Sequence, residues 1–369
     1  MTHRERFNRV FTFQPVDRVP CYFFGSWAET RVRWGNEGFD GYLLPSGDYG
    51  PQLPGMDPDW EPGLWNWHGI VNIGPMSDQP WKILEKRDDG TMIVRSGLGK
   101  VEQCRIEGAS IPHTLEFPLE PTRESWDKFK RFFEYKLDAR YNPGWEQIIA
   151  KRNEEDIVTP LLGGSFYGWI RDYMGVENLS YIQYDDPLLL EEMIETITEH
   201  MILLTKPLLQ TLKVDFVYFF EDCCGSSGPL FSPPVYREVF DKYYKRLIRF
   251  YKDNGVPLVL VDSDGWSELL MPCWLESGFD IMFPIEVGKW GAHPADLRRK
   301  FGDSLRMFGG LDKRLIYGDE ATLRAHLESL KPEVMKGGYI PIPDHRIPPE
   351  TSYEQMLRYI HLYHEIFNG

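Results

Sequence analysis

Six short apolar runs, each followed by a stretch with helical spacing, constrain this chain more than any other feature. They are Thr159-Pro160-Leu161-Leu162-Gly163, Asp215-Phe216-Val217-Tyr218-Phe219-Phe220, Pro257-Leu258-Val259-Leu260-Val261, Ile281-Met282-Phe283-Pro284-Ile285, Leu305-Arg306-Met307-Phe308 and Tyr339-Ile340-Pro341-Ile342. Apolar runs of this length between helices predict parallel strands buried on both faces. A repeated βα series closes into a barrel or opens into a doubly wound sheet. No Gly-x-Gly-x-x-Gly opens a helix after a strand, which counts against the dinucleotide-binding sheet and favours a (β/α)₈ barrel.

The helix boundaries carry their own chemistry. Asp186-Pro187 supplies an N-cap and an N1 proline for a long helix running towards Leu212. Ser232-Pro233 does the same for a helix ending at Asn254-Gly255, and Ser352 with Gln355 predicts a capping box for the last one. Near the N-terminus, Arg4 to Phe11 has helical spacing, and Val19 to Phe24 reads as a buried strand. Residues 25–80 are rich in Gly, Pro and Trp without a period, an excursion long enough to suggest function. Residues 81–117 alternate about Asp89-Gly90 and Gly97, the pattern of antiparallel hairpins. The whole of 1–369 is therefore expected to be one barrel domain carrying a small β insertion at 81–117.

Composition narrows the partners. A net charge of −15 over 369 residues argues against nucleic acid, which requires a basic face, and equally against an anionic membrane surface. Five cysteines, an odd number with no Cys-x-x-Cys spacing, fit reduced thiols. The start Met1-Thr2-His3-Arg4 lacks an apolar core, and no apolar run approaches membrane-spanning length, so a cytoplasmic protein is expected.

Each of five strands then delivers an acid at its C-terminal edge: Glu221-Asp222, Asp262-Ser263-Asp264-Gly265, Glu286, Asp312 and Asp344-His345. In a parallel barrel those edges meet at one mouth, where active sites of this architecture lie. Any one such acid also has a structural reading, as a helix cap or an ion-pair partner, but crowded carboxylates repel and must be protonated, paired or metal-bound. His345 follows an apolar strand and is expected at the mouth rather than in the core. The alternative is an anchor for the proline-rich loop at Ile347-Pro348-Pro349. Cys223 and Cys224 offer a thiolate or simple buried packing, and Lys313-Arg314 is placed to neutralise part of the acidic mouth.

The stretches Arg4-Glu5-Arg6-Phe7 through Pro15-Val16-Asp17-Arg18-Val19-Pro20, Gly163-Gly164-Ser165-Phe166-Tyr167-Gly168, Phe220-Glu221-Asp222, Asp262-Ser263-Asp264-Gly265, Phe308-Gly309-Gly310-Leu311-Asp312-Lys313 and Gly337-Gly338-Tyr339 to Asp344-His345 resemble the uroporphyrinogen decarboxylase superfamily. That superfamily includes true decarboxylases and corrinoid-dependent methyltransferases. The resemblance implies a single barrel with its site at the C-terminal mouth, and by analogy a homodimer. Two departures bear on function. The decarboxylases' Arg-Gln-Ala-Gly-Arg-Tyr stretch is replaced by Phe24-Gly25-Ser26-Trp27-Ala28-Glu29-Thr30-Arg31, so an acidic mouth without paired arginines would repel a polycarboxylate. The zinc-holding His-x-Cys of the thiol-activating methyltransferases is Asp262-Ser263-Asp264 here. A replacement metal set, for zinc or another divalent ion, would draw on Glu221, Cys223, Asp262, Asp264 and His345.

The leading expectation is methyl transfer from a small methylated donor, such as an aryl methyl ether, to a corrinoid supplied by a partner protein. Glu221, Asp262, Asp264 and His345 would act as acid or ligands. Trp27, Tyr167, Trp169 and Arg171, with Asp222, Glu286 and Asp344, would shape the donor pocket. The alternative is decarboxylation of a cyclic or aromatic acid gripped by Arg31, Arg33 or Arg171. A third possibility is a binding protein that kept the barrel without its catalysis.

Overall fold

The computed structural model describes residues 1–39, 53–58, 60, 69–105, 111–288 and 292–369. Much of the expected 25–80 excursion lies outside the described residues. Four strands, β1 (Lys82–Lys86), β2 (Thr91–Arg95), β3 (Val101–Arg105) and β4 (His113–Glu116), form an antiparallel meander in chain order. Asp89 shapes its first turn by accepting from the Thr91 amide and hydroxyl at 2.9 and 2.7 Å.

The main sheet comprises β5 (Pro160–Leu162), β6 (Phe216–Phe220), β9 (Val259–Asp262), β10 (Ile281–Ile285), β11 (Arg306–Leu311) and β12 (Tyr339–Pro343). A two-stranded hairpin, β7 (Cys224–Gly225) with β8 (Gly228–Pro229), follows β6 directly. The six strands are parallel and lie side by side in chain order, each joined to the next through one or more helices. A doubly wound sheet reverses its strand order at a switch point; this order never reverses. The fold is thus mixed α/β with a singly progressing parallel sheet.

The sheet is strongly curved. In a flat sheet β6 and β11, three strands apart, would be separated by roughly 14 Å. Yet Phe7, from the helix His3–Phe11, stacks on Phe216 of β6 at 5.4 Å and meets Phe308 of β11 edge-on at 6.3 Å. Trp60 touches both of those rings and Phe283 of β10. One aromatic plug therefore fills the concave side, where alternate residues of several strands converge.

The run Val19–Phe24 is buried but forms no ladder among the described residues. Its continuation makes a single parallel bridge from Ser26 to Ile347, just beyond β12. The cap predictions agree with the structure: Asp186 accepts from the Leu189 amide, and Ser352 and Gln355 form both bonds of the capping box. The helix begun at Pro187 ends at Leu209, short of Leu212. No described helix is long and apolar enough to cross a membrane.

Candidate active site

The acids at the strand ends divide into two kinds. Glu221 is fully buried, and its carboxylate accepts from the amides of Phe166 (3.0 Å), Tyr167 (2.8 Å) and Gly168 (3.2 Å) and from the Ser165 hydroxyl (3.2 Å). These amides open the helix Tyr167–Met174, whose unpaired N–H groups and dipole attract an anion. Gly168 is required there, since a Cβ would sit 2.6 Å from the Phe220 carbonyl oxygen. Burial pushes the Glu221 carboxyl up, while the amides and Tyr244 hold it down. Asp344 behaves alike: it accepts from Val287 and Gly288 at the end of β10 and from Lys313 beyond β11. Both were expected to serve substrate or metal at the mouth; both are instead consumed in stitching loops together.

Asp262 ends β9 almost wholly buried, with its carboxylate accepting from the Tyr218 hydroxyl. Asp264, two residues on, is the acid that reaches His345: Oδ2 lies 3.0 Å from Nε2. The other atoms of this pair, Asp264 Oδ1 and His345 Nδ1, are buried without a hydrogen-bond partner. Buried polar atoms are rarely left so, and a water or a ligand group is expected to complete this pair. Glu286 supports the pair indirectly, accepting at 2.6 Å from the amide of Gly265, which is held at φ +83° against the Gly225 carbonyl.

Asp222, held at φ +40°, accepts at 2.5 Å from Arg171, which also pairs with Asp172 at 3.1 Å. Burial pushes the Asp222 carboxyl up, Arg171 pulls it down, and Asp264 nearby raises it again. A polar series therefore runs along the C-terminal edge of the parallel sheet from Asp172 through Arg171, Asp222 and Asp264 to His345. Phe24 and Trp27 wall its far end, with ring centroids 5.7 and 6.0 Å from His345. Arg346 lies 5.9 Å from both of those rings.

The remaining expected residues lie elsewhere. Tyr167 is buried against Phe231, with its hydroxyl unpartnered. Trp169 lines a separate cavity of about 650 Å³ beside β5 and β6, together with Asp172, Tyr173 and Phe220. Arg33 donates to Glu37 and to the carbonyls of Pro349 and Glu350, and Arg31 to the Ser26 carbonyl. Cys223 is buried with its thiol pushed well up, chiefly by burial, which opposes a thiolate ligand. Among the described residues no three His, Cys, Asp or Glu side chains are grouped as a metal requires. The proposed metal set does not fit: Glu221 is tied to amides and only Asp264 and His345 meet.

Sequence reading missed Phe24, Arg346, Asp172 and Tyr218. Phe24 and Arg346 adjoin recognised motifs and were within reach; Tyr218 reads as an ordinary inward-facing strand residue.

The uroporphyrinogen decarboxylase (URO-D) family model matches residues 171–366. The uroporphyrinogen decarboxylase of Pseudomonas entomophila (strain L48) is 25% identical over 238 residues, 60% of this chain and 63% of that protein. That of Pseudoalteromonas translucida (strain TAC 125) is 24% identical over 252 residues, 62% of this chain and 66% of that one. The matched region thus spans under two thirds of these relatives' length. Among solved structures, a methyltransferase from Methanosarcina mazei has a TM-score of 0.58 at 14% identity, covering 99% of both chains, a likeness of fold.

Proposed function

This chain belongs to the uroporphyrinogen decarboxylase family, and from that footing we propose that it transfers a methyl group from a small uncharged donor, such as an aryl methyl ether, to a corrinoid on a partner protein. The unreversed, curved parallel sheet supports closure into a (β/α)₈ barrel with the acidic series at its mouth. One observation carries the substrate reading: the arginines suited to gripping a carboxylate are already engaged. Arg171 serves two aspartates, Arg33 a glutamate and two carbonyls, and Arg31 a carbonyl. A polycarboxylate would meet these carboxylates, with Arg171, Arg33 and Arg31 already committed to other partners.

Breaking an ether C–O bond leaves the electron pair on oxygen, which must gain a proton as the methyl carbon departs. A corrinoid supplies the nucleophile that takes that carbon. His345 is placed to deliver the proton through Nδ1, while Asp264 holds Nε2 and fixes the ring's orientation. Asp222, pushed towards its protonated form by burial, is the second acid within the series. Phe24 and Trp27 exclude water beside the imidazole.

The decarboxylase reading draws on the names of the curated relatives, and the same imidazole would protonate the carbanion left by CO₂ loss. One experiment separates the two. Purified protein is given 2-methoxyphenol with free cob(I)alamin, and in parallel uroporphyrinogen. Enzyme-dependent formation of methylcobalamin and catechol is the expected result. Stepwise CO₂ release from uroporphyrinogen, with no methyl transfer, would overturn it.

A further inference from the structure

We propose that the cavity beside the ends of β5 and β6 seats the aromatic ring of the methyl donor and admits only rings without negative charge; this rests on the methyl-transfer reading above. Its volume, about 650 Å³, falls within the span of small-ligand pockets, roughly 300–1,000 Å³. Trp169, Tyr173 and Phe220 give it aromatic surface, and Val71 and Ile73 an aliphatic wall. Among the described residues that line it there is no Lys, Arg or His, and the one carboxylate is that of Asp172. Asp172 places a carboxylate on the cavity wall, and Arg171, which pairs with it, is also engaged by Asp222 at the edge nearest the mouth. An anion entering there meets the Asp172 carboxylate with the adjoining guanidinium already engaged, whereas a neutral ring loses nothing to it.

The wall is built in advance of any ligand. Arg140, itself buried, donates to the carbonyls of Asn72 (3.2 Å) and Gly74 (2.5 Å) on one side and of Phe132 (2.9 Å) and Phe133 (2.7 Å) on the other. His200 holds the Ile73 carbonyl at 2.9 Å. A segment pinned at three successive carbonyls keeps its shape when empty, which lowers the ordering cost of binding. Through Asp172 and Arg171 the cavity adjoins Asp222, so the ether oxygen of a ring seated here would be served first by Asp222, the nearer of the two proton donors, with His345 at the far end of the series.

The test uses three probes of similar size and different charge: methoxybenzene, benzoate and phenyltrimethylammonium. Binding to the intact protein is measured by ligand-observed NMR without corrinoid or partner, so the result does not depend on methyl transfer. Methoxybenzene is expected to bind at least tenfold more tightly than benzoate, and Asp172→Asn to narrow that gap. Trp169→Ala should weaken methoxybenzene at least tenfold. Gly74→Leu provides a second variant, since a Cβ at Gly74 meets only Asn72 Oδ1 at 3.8 Å and the added side chain would occlude the cavity without removing support. Benzoate binding as tightly as methoxybenzene, or both cavity variants retaining wild-type affinity with unchanged melting, would overturn the assignment. Cavity-dependent binding without methylcobalamin formation would uphold the pocket and remove the transfer reading alone.

Discussion

His345 and Asp264 stand three loops apart in the chain and 3.0 Å apart in space, and their two unmet atoms make them the pair most exposed to test. His345→Gln and Asp264→Asn should each lower kcat by roughly 10²–10⁴-fold, the range for losing a positioned proton donor, with the melting temperature little changed. Glu221→Gln should do the reverse. Its carboxylate accepts from three amides and two hydroxyls, and an amide side chain would point an N–H at one of them. A loss of about 1–3 kcal/mol in urea unfolding is expected, despite relief of the buried charge. Stability equal to wild type would show that the carboxylate is not the anchor of that turn. Both residues look alike in the sequence, an acid or base after an apolar strand. What separates them is whether backbone amides face the side chain, and that depends on where a neighbouring loop lies.

At the scale of elements, the helix Pro187–Leu209 places His200 against the loop that walls the cavity. Burial and the nearby Arg140 charge push His200 down from 6.5 to about 4, against the pull of the Ile73 carbonyl. Its folded value is the lower, so between those values the unfolded chain binds more protons. Stability should therefore fall as pH drops from 6.5 towards 4, by on the order of 3 kcal/mol if the imidazole stays neutral throughout. His200→Phe should flatten that part of the stability–pH curve; an unchanged slope would remove His200 as its source. The caps at Asp186 and Ser352 were legible because capping is local, decided within four residues. The Val19–Phe24 run was misjudged because a ladder needs a partner, and no local signal reports one.

Across the whole molecule the central fact is curvature, held by Phe7 reaching both β6 and β11 from outside the sheet. Phe7→Ala should cost about 3–5 kcal/mol in chemical unfolding, at the upper end for core truncations, because the cavity would open between strands that cannot collapse onto each other. A loss under 1 kcal/mol would mean the sheet holds its curve unaided. The sequence by itself determined the alternation of buried strands and helices, the lack of a dinucleotide motif, the acidic balance and the delivery of acids to one sheet edge. Each of these follows from spacing, propensity or charge, which act within a few residues or on the chain as a sum. Only the tertiary structure decided that Glu221 and Asp344 turn to backbone amides, that Asp264 rather than Asp262 meets His345, and that Trp169 faces its own cavity. Those outcomes turn on side-chain directions and loop positions set by contacts between residues far apart in the chain, where a shift of a few ångströms exchanges one hydrogen-bond partner for another.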